Sequence, residues 1–140
     1  MSSFMPAVVA AFALAASGAA YAADTLPAPA HSITGEKLGV VDLGKAFPQM
    51  KGFELRFSRL TVPPGAGLTP HSHKEIPEIV YIVQGHLTEQ RNGAAPVVYG
   101  PGTTLINDET VTHAVLNQGT ETVIYYGTHV SKPQATPPRY

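Results

Sequence analysis

His71, Ser72 and His73 set two imidazoles two residues apart. In an extended strand, side chains at that spacing share one face, with Cα atoms about 6.5 Å apart. Both rings can then turn toward one ion, each offering a nitrogen at about 2.0–2.1 Å. Glu78 follows five residues after His73, past Pro77, and can return a carboxylate to the same point from the next strand. Two exposed loop histidines have the same local pattern, so the surrounding frame has to decide. The chain has no cysteine. That removes disulfides, thiolate ligands and a cysteine nucleophile together, and leaves imidazole and carboxylate as the donors for any transition metal. No Ser–His–Asp arrangement follows from the spacing of the other candidates.

The elements that must carry these residues read as strands. Phe53 to Val62, Glu78 to Gln84, His86 to Arg91, Val97 to Tyr99, His113 to Asn117 and Thr122 to His129 are short alternating runs rich in β-branched and aromatic residues, broken by Gly, Pro and Asn. The apolar phase of the first run shifts near Ser58 and Arg59, which predicts a bulge there. Asn92-Gly93 lies between two runs and is a strong hairpin signal. No stretch after the first twenty-odd residues carries a helical period of useful length. The fold class expected is all-β, a sandwich or barrel of antiparallel sheets.

A chain of 140 residues has room for one domain. With 14% charged residues and a net charge of -1, it offers no basic surface for phosphates, which argues against nucleic acid as a partner. Residues 1–22 read as a cleaved export leader. Val8 to Ala20 is almost wholly apolar, and Ala20-Tyr21-Ala22 gives the small-x-small pattern before a cleavage point. The run is short for a membrane span. A periplasmic or secreted protein with no membrane attachment after cleavage is expected. Residues 23–33 read as a flexible lead-in, 34–132 as the barrel, and 133–140 as a Pro-rich tail.

The frame around the histidines is Gly65, five residues, His71, one residue, His73, four residues, Glu78, six residues, Gly85. It resembles the first motif of the cupin superfamily, together with Pro63-Pro64 before it and Tyr81-Ile82-Val83-Gln84 at its close. Gly102, His113 and Asn117 fall at the spacing of the second motif, although Thr103, Asp108 and Thr110 depart from its usual residues. The resemblance covers about Val62 to Asn117. It implies a double-stranded β-helix, or jelly-roll, barrel with one divalent metal in its mouth. The ligands carried over are His71, His73, Glu78 and His113. Fe, Mn, Ni, Cu and Zn all suit such donors.

With Glu78 inward, two-residue parity turns Val80 and Ile82 inward, and by the same count Val115 and Asn117 follow His113. These four residues are the expected substrate pocket. Tyr81 falls on the opposite face, which argues against a lyase using a tyrosine base two residues after the glutamate. Glu75 reads as a solvated loop residue, and His31, His86 and His129 as surface or barrel-end residues. One of Arg56 and Arg59 could face an anionic substrate, but the phase shift leaves open which. The reading favoured is a metal-dependent, dioxygenase-like oxidoreductase acting on a small organic molecule. Alternatives are a non-redox metal-dependent lyase or isomerase, and a small-molecule binding or sensing module. By analogy within the superfamily a homodimer is expected.

Overall fold

The structure, a computed structural model, describes residues 25–133. The expected leader and residues 134–140 of the tail lie outside it. Nine strands follow in order: β1 (Thr34–Asp42), β2 (Glu54–Val62), β3 (Gly67–Ser72), β4 (Glu78–Gln84), β5 (Leu87–Arg91), β6 (Val97–Tyr99), β7 (Thr104–Asn107), β8 (Thr112–Leu116) and β9 (Val123–Ser131). Between β1 and β2 lie two 3-10 turns, Leu43–Lys45 and Pro48–Met50. The strands form two sheets, β1-β2-β9-β4-β7 and β3-β8-β5-β6, with every strand pair antiparallel. None of the described helices is long and apolar enough to cross a membrane.

Alternation builds the interior. Leu60 and Val62 of β2, Val80 and Ile82 of β4, Leu105 of β7, and Val123 and Tyr125 of β9 turn inward to meet Leu87 of β5 and Val115 of β8. Burying these side chains is what holds the sheets face to face, at about 25 cal/mol per Å² of apolar surface. Two glycines of the first motif sit where the backbone requires them. Gly65 and Gly85 have φ of 76° and 72°, and a Cβ at Gly85 would stand 2.9 Å from the Thr122 carbonyl oxygen. At the hairpin, Asn92 and Gly93 both take positive φ, the left-handed pair of a type I′ turn.

Two expectations change. β2 pairs with β9 without interruption from Glu54 to Val62, and the bulge lies in the neighbouring β1, between Lys37 and Gly39. The apparent phase shift in β2 comes from Phe57, which faces outward and stacks on Tyr126 with ring centroids 5.5 Å apart. The described part of the lead-in does not hang free. Its backbone bonds to Gly65 through Ala30, His31 bridges Ala66, and Ile33 is buried in the core.

Candidate metal centre

β3 carries one residue more than β8 between Leu68 and His71: Leu68 pairs with Val115, and His71 with His113. This irregularity, at Thr69-Pro70, moves the inward phase from Leu68 to His71. Edge position explains why a proline is tolerated there. His73 follows the strand, and its backbone N–H bonds to the Val111 carbonyl at 2.9 Å. The turn before β8 is closed by the residues that depart from the second motif. Asp108 accepts from the Thr110 backbone at 2.9 Å and from its hydroxyl at 2.6 Å. His113 therefore enters β8 directly opposite His71.

The three rings converge. Nε2 of His113 lies 2.9 Å from Nε2 of His73 and 3.1 Å from Nε2 of His71. Their outer nitrogens are all committed. Nδ1 of His71 donates to the Thr69 carbonyl at 2.9 Å, Nδ1 of His73 to the Ile76 carbonyl at 2.8 Å, and Nδ1 of His113 to the Glu89 carboxylate at 2.5 Å. A carbonyl or carboxylate can only accept, so each neutral ring carries its proton on Nδ1 and points a lone pair inward from Nε2. Burial lowers the pKa of His71. It drives His73 down to about 4, against a rise from its bond to Ile76, with the nearby His113, His71 and Arg91 adding to the fall. Three lone pairs at such distances repel unless a cation lies among them. Two nitrogens 2.0–2.1 Å from one ion and at right angles lie about 2.9 Å apart, and at the tetrahedral angle about 3.4 Å. The observed separations fit one face of an octahedron, and the donor set suits a divalent transition metal.

Glu78 stands apart from this cluster. The three histidine donor atoms lie within 4.8 Å of one another, and the Glu78 carboxylate is not among them. It lines a small cavity with His71 and His113, and is folded back against Gly127, where a Cβ would come within 2.6 Å of its Oε1. Burial pushes its carboxyl up to about 7, and the neighbouring Asn107 amide offsets part of the rise.

Glu89, which the motif does not point to, is the missed residue. It is 2% exposed and holds His113 from behind. Burial, the largest influence, raises its pKa, but the bonds and charges of His113 and Arg91 together bring it below the ordinary value. Arg91 bonds Glu89 at 2.9 Å and Asn107 of the other sheet at 2.8 Å, linking the support of His113 to the neighbour of Glu78. The available signal was an acidic residue at an inward position of the His86–Arg91 run.

The cavity beneath the cluster measures about 20 Å³ and is walled by Leu68, Val80, Leu87, Leu105, Val115 and Tyr125, room for about one water. Of the four expected pocket residues, Val80 and Val115 line it. Ile82 is fully buried in the core below. Asn117 holds two chain segments together, donating to the carbonyls of Val62 and Glu121 at 2.8 Å each. An organic molecule does not fit inside; it reaches the cluster only from the mouth.

The Cupin domain family profile matches residues 58–129, a little over half of the chain. Among curated proteins none matches the sequence. Solved structures share the fold. A double-stranded β-helix protein from Klebsiella pneumoniae superposes with a TM-score of 0.57 at 13% identity, over 79% of this chain and 86% of that one. A predicted oxalate decarboxylase from Thermotoga maritima gives 0.50 at 23%, over 71% and 93%. The Cnp3 cupin domain of Schizosaccharomyces pombe gives 0.51 at 22%, over 56% of this chain; the chain spans about half of that domain, 53%.

Proposed function

Because this chain belongs to the cupin family, with the double-stranded β-helix fold, we propose that it is a metal-dependent enzyme, a dioxygenase-like oxidoreductase acting on a small organic molecule at the barrel mouth. The observation that carries the metal is the convergence of three proton-free Nε2 atoms at 2.9–3.1 Å. His71, His73 and His113 are the ligands, and Glu78 is the fourth. A dication close by favours the ionised carboxylate, reversing the effect of burial on Glu78. When bound, the metal supplies a Lewis-acid or redox centre with positions open to exogenous ligands. The chain's own part is to orient and to exclude water. Glu89 fixes the tautomer and direction of His113, and the aliphatic wall beneath the cluster keeps bulk water out.

The small, mainly aliphatic cavity beneath the cluster supports O₂ chemistry, and the motif offers no inward tyrosine as the base of a lyase. Tyr81, the nearest tyrosine in the motif, is 48% exposed on the outer face. The leader-like residues 1–22 support export to the periplasm or beyond. The exposed face of the larger sheet supports a homodimer: Phe57, Ile79, Tyr81 and Ile106 leave a broad apolar surface there.

The test is metal analysis of the purified protein, then turnover of a panel of small phenols and organic acids with an oxygen electrode. Oxygen uptake dependent on His71, His73 and His113 is expected. Turnover without oxygen uptake selects the lyase or isomerase reading, and binding without turnover selects the sensing module.

A further inference from the structure

Cross-strand pairing sets Arg56 opposite His129, His129 opposite Glu78, and Glu78 opposite Asn107. Directly paired residues on neighbouring antiparallel strands share a face, so these four form one row across β2, β9, β4 and β7. Burial identifies the face. His129 is 8% and Asn107 1% exposed, and Glu78 and Asn107 line the cavity with His71 and His113. The next row inward is Ser58, Gly127, Val80 and Leu105, where the packed interior begins. The polar row is therefore the rim of the mouth, on the sheet facing the histidine cluster. The unbroken β2–β9 register also settles the two arginines: Arg56 is inward and Arg59, three residues on, is outward.

Arg56 is held ready. Its Nε donates to Glu54 Oε1 at 3.0 Å, its Nη2 bonds the same oxygen, and the two side chains are only 14% and 15% exposed. One carboxylate oxygen thus occupies the Nε edge of the guanidinium, while Nη1 donates to no group among the described residues. The Nη1–Nη2 edge is a planar fork matched to a carboxylate. Beside it the His129 ring makes no hydrogen bond among the described residues. A groove lies one row further out. There Glu54 pairs with Ser131, and Ser131, Phe53, Glu75, Ile76, Lys132 and Pro133 line an open groove of about 440 Å³.

We infer that Arg56 and His129 form a carboxylate-binding subsite, and that the substrate is a small organic acid lying across His129 with its carboxylate on Arg56 and its other polar end toward the histidine cluster. Two strand spacings, about 10 Å, separate the backbones of Arg56 and Glu78, the span of a small aromatic or short aliphatic acid. The inference rests on the metal reading for the second end of the ligand; the carboxylate end stands on the row alone.

Benzoate, 4-hydroxybenzoate and uncharged benzamide, titrated into zinc-loaded and metal-free protein by calorimetry and NMR, test it. Benzoate is expected to bind both forms and to shift the His129 ring resonances, and benzamide to bind neither. 4-Hydroxybenzoate, whose hydroxyl lies at the far end of the ring, should gain affinity over benzoate only with zinc. Arg56→Gln should weaken benzoate binding by about tenfold or more, the loss of one charge-assisted bidentate pair, with zinc content unchanged. Arg56→Lys should recover part of it, and Arg59→Gln none should be lost. Equal binding of benzamide, an unaffected Arg56→Gln protein, or no saturable carboxylate binding overturns the subsite. If Arg56→Gln does not fold, Arg56→Lys and the His129 shifts in the unmodified protein decide. Arg56-dependent benzoate binding by a protein that retains no zinc keeps the subsite and rejects the metal reading.

Discussion

The Glu89 carboxylate, in the middle of β5, lies 2.5 Å from Nδ1 of His113, 24 residues away in sequence. It is the contact that aims the His113 ring into the cluster. A carboxylate behind an imidazole fixes the tautomer and raises the basicity of the far nitrogen.

Replacing it should therefore cost metal rather than fold. Glu89→Gln keeps the size and can still accept from His113, but removes the charge that also holds Arg91. Metal affinity, measured by competition with a chelator, should fall by about 10–100-fold, with the protein still folded by circular dichroism. Unchanged affinity would show that His113 is positioned without it.

Glu78 makes a second prediction in the metal-free protein. It keeps its proton in the fold up to about pH 7, against about 4.5 when unfolded. Between those values the folded state binds more protons, so stability falls as pH rises; the contribution is complete below about 4.5 and gone above about 7. Glu78→Gln stays neutral throughout. It should be more stable than the unmodified protein above pH 7, by up to about 3 kcal/mol, and the difference should vanish in acid. His73 titrates in the opposite sense in both proteins, so comparing their denaturant melts across pH isolates Glu78.

The same carboxylate governs the pH dependence of metal binding. If Glu78 completes the ligand set, a proton competes with the metal below about pH 7, and affinity should decline from there, less steeply in Glu78→Gln. Without Glu78 that step should be absent, and competition by protons at His71 and His73 sets in only lower, near pH 4 for His73. Gly127→Ala supplies an independent check. Its methyl group would occupy the space of the Glu78 Oε1 at 2.6 Å, displacing the carboxylate and changing metal affinity without substituting a ligand residue.

How far the sequence carries the account differs by element. The six sequence-expected runs all contain strands, and β4 and β6 have the expected bounds; β4 alternates between one buried and one open face, and β6 is marked by its β-branched and aromatic residues after the Asn92-Gly93 turn. β1 escaped notice because all nine of its residues are exposed or nearly so; a strand paired along one edge with neither face buried leaves no apolar period. β7 alternates in burial but not in polarity, since Ile106 faces out and Asn107 faces in. The histidine cluster was legible as a spaced motif. Glu89 was not, because its role arises only when β5 pairs with β8. The inward turn of Arg56 was hidden by Phe57, an apolar residue on the open face.

That open face yields a prediction on assembly. Ile79 and Ile106 are paired neighbours, 54% and 61% exposed. A dimer burying them should appear in light scattering at micromolar concentration, and Ile79→Lys with Ile106→Lys should give a monomer that retains its metal. A monomeric unmodified protein rejects the dimer.

The most direct test of the central claim is the metal content of the protein purified from its own compartment without added metal, beside His71→Ala, His73→Ala and His113→Ala. The account predicts close to one equivalent of a divalent transition metal in the unmodified protein and loss of most of it in each variant, with the barrel intact and with His31→Ala and His86→Ala unaffected. Less than about a tenth of an equivalent of every transition metal in the unmodified protein, or full occupancy after loss of any one of the three histidines, would contradict it.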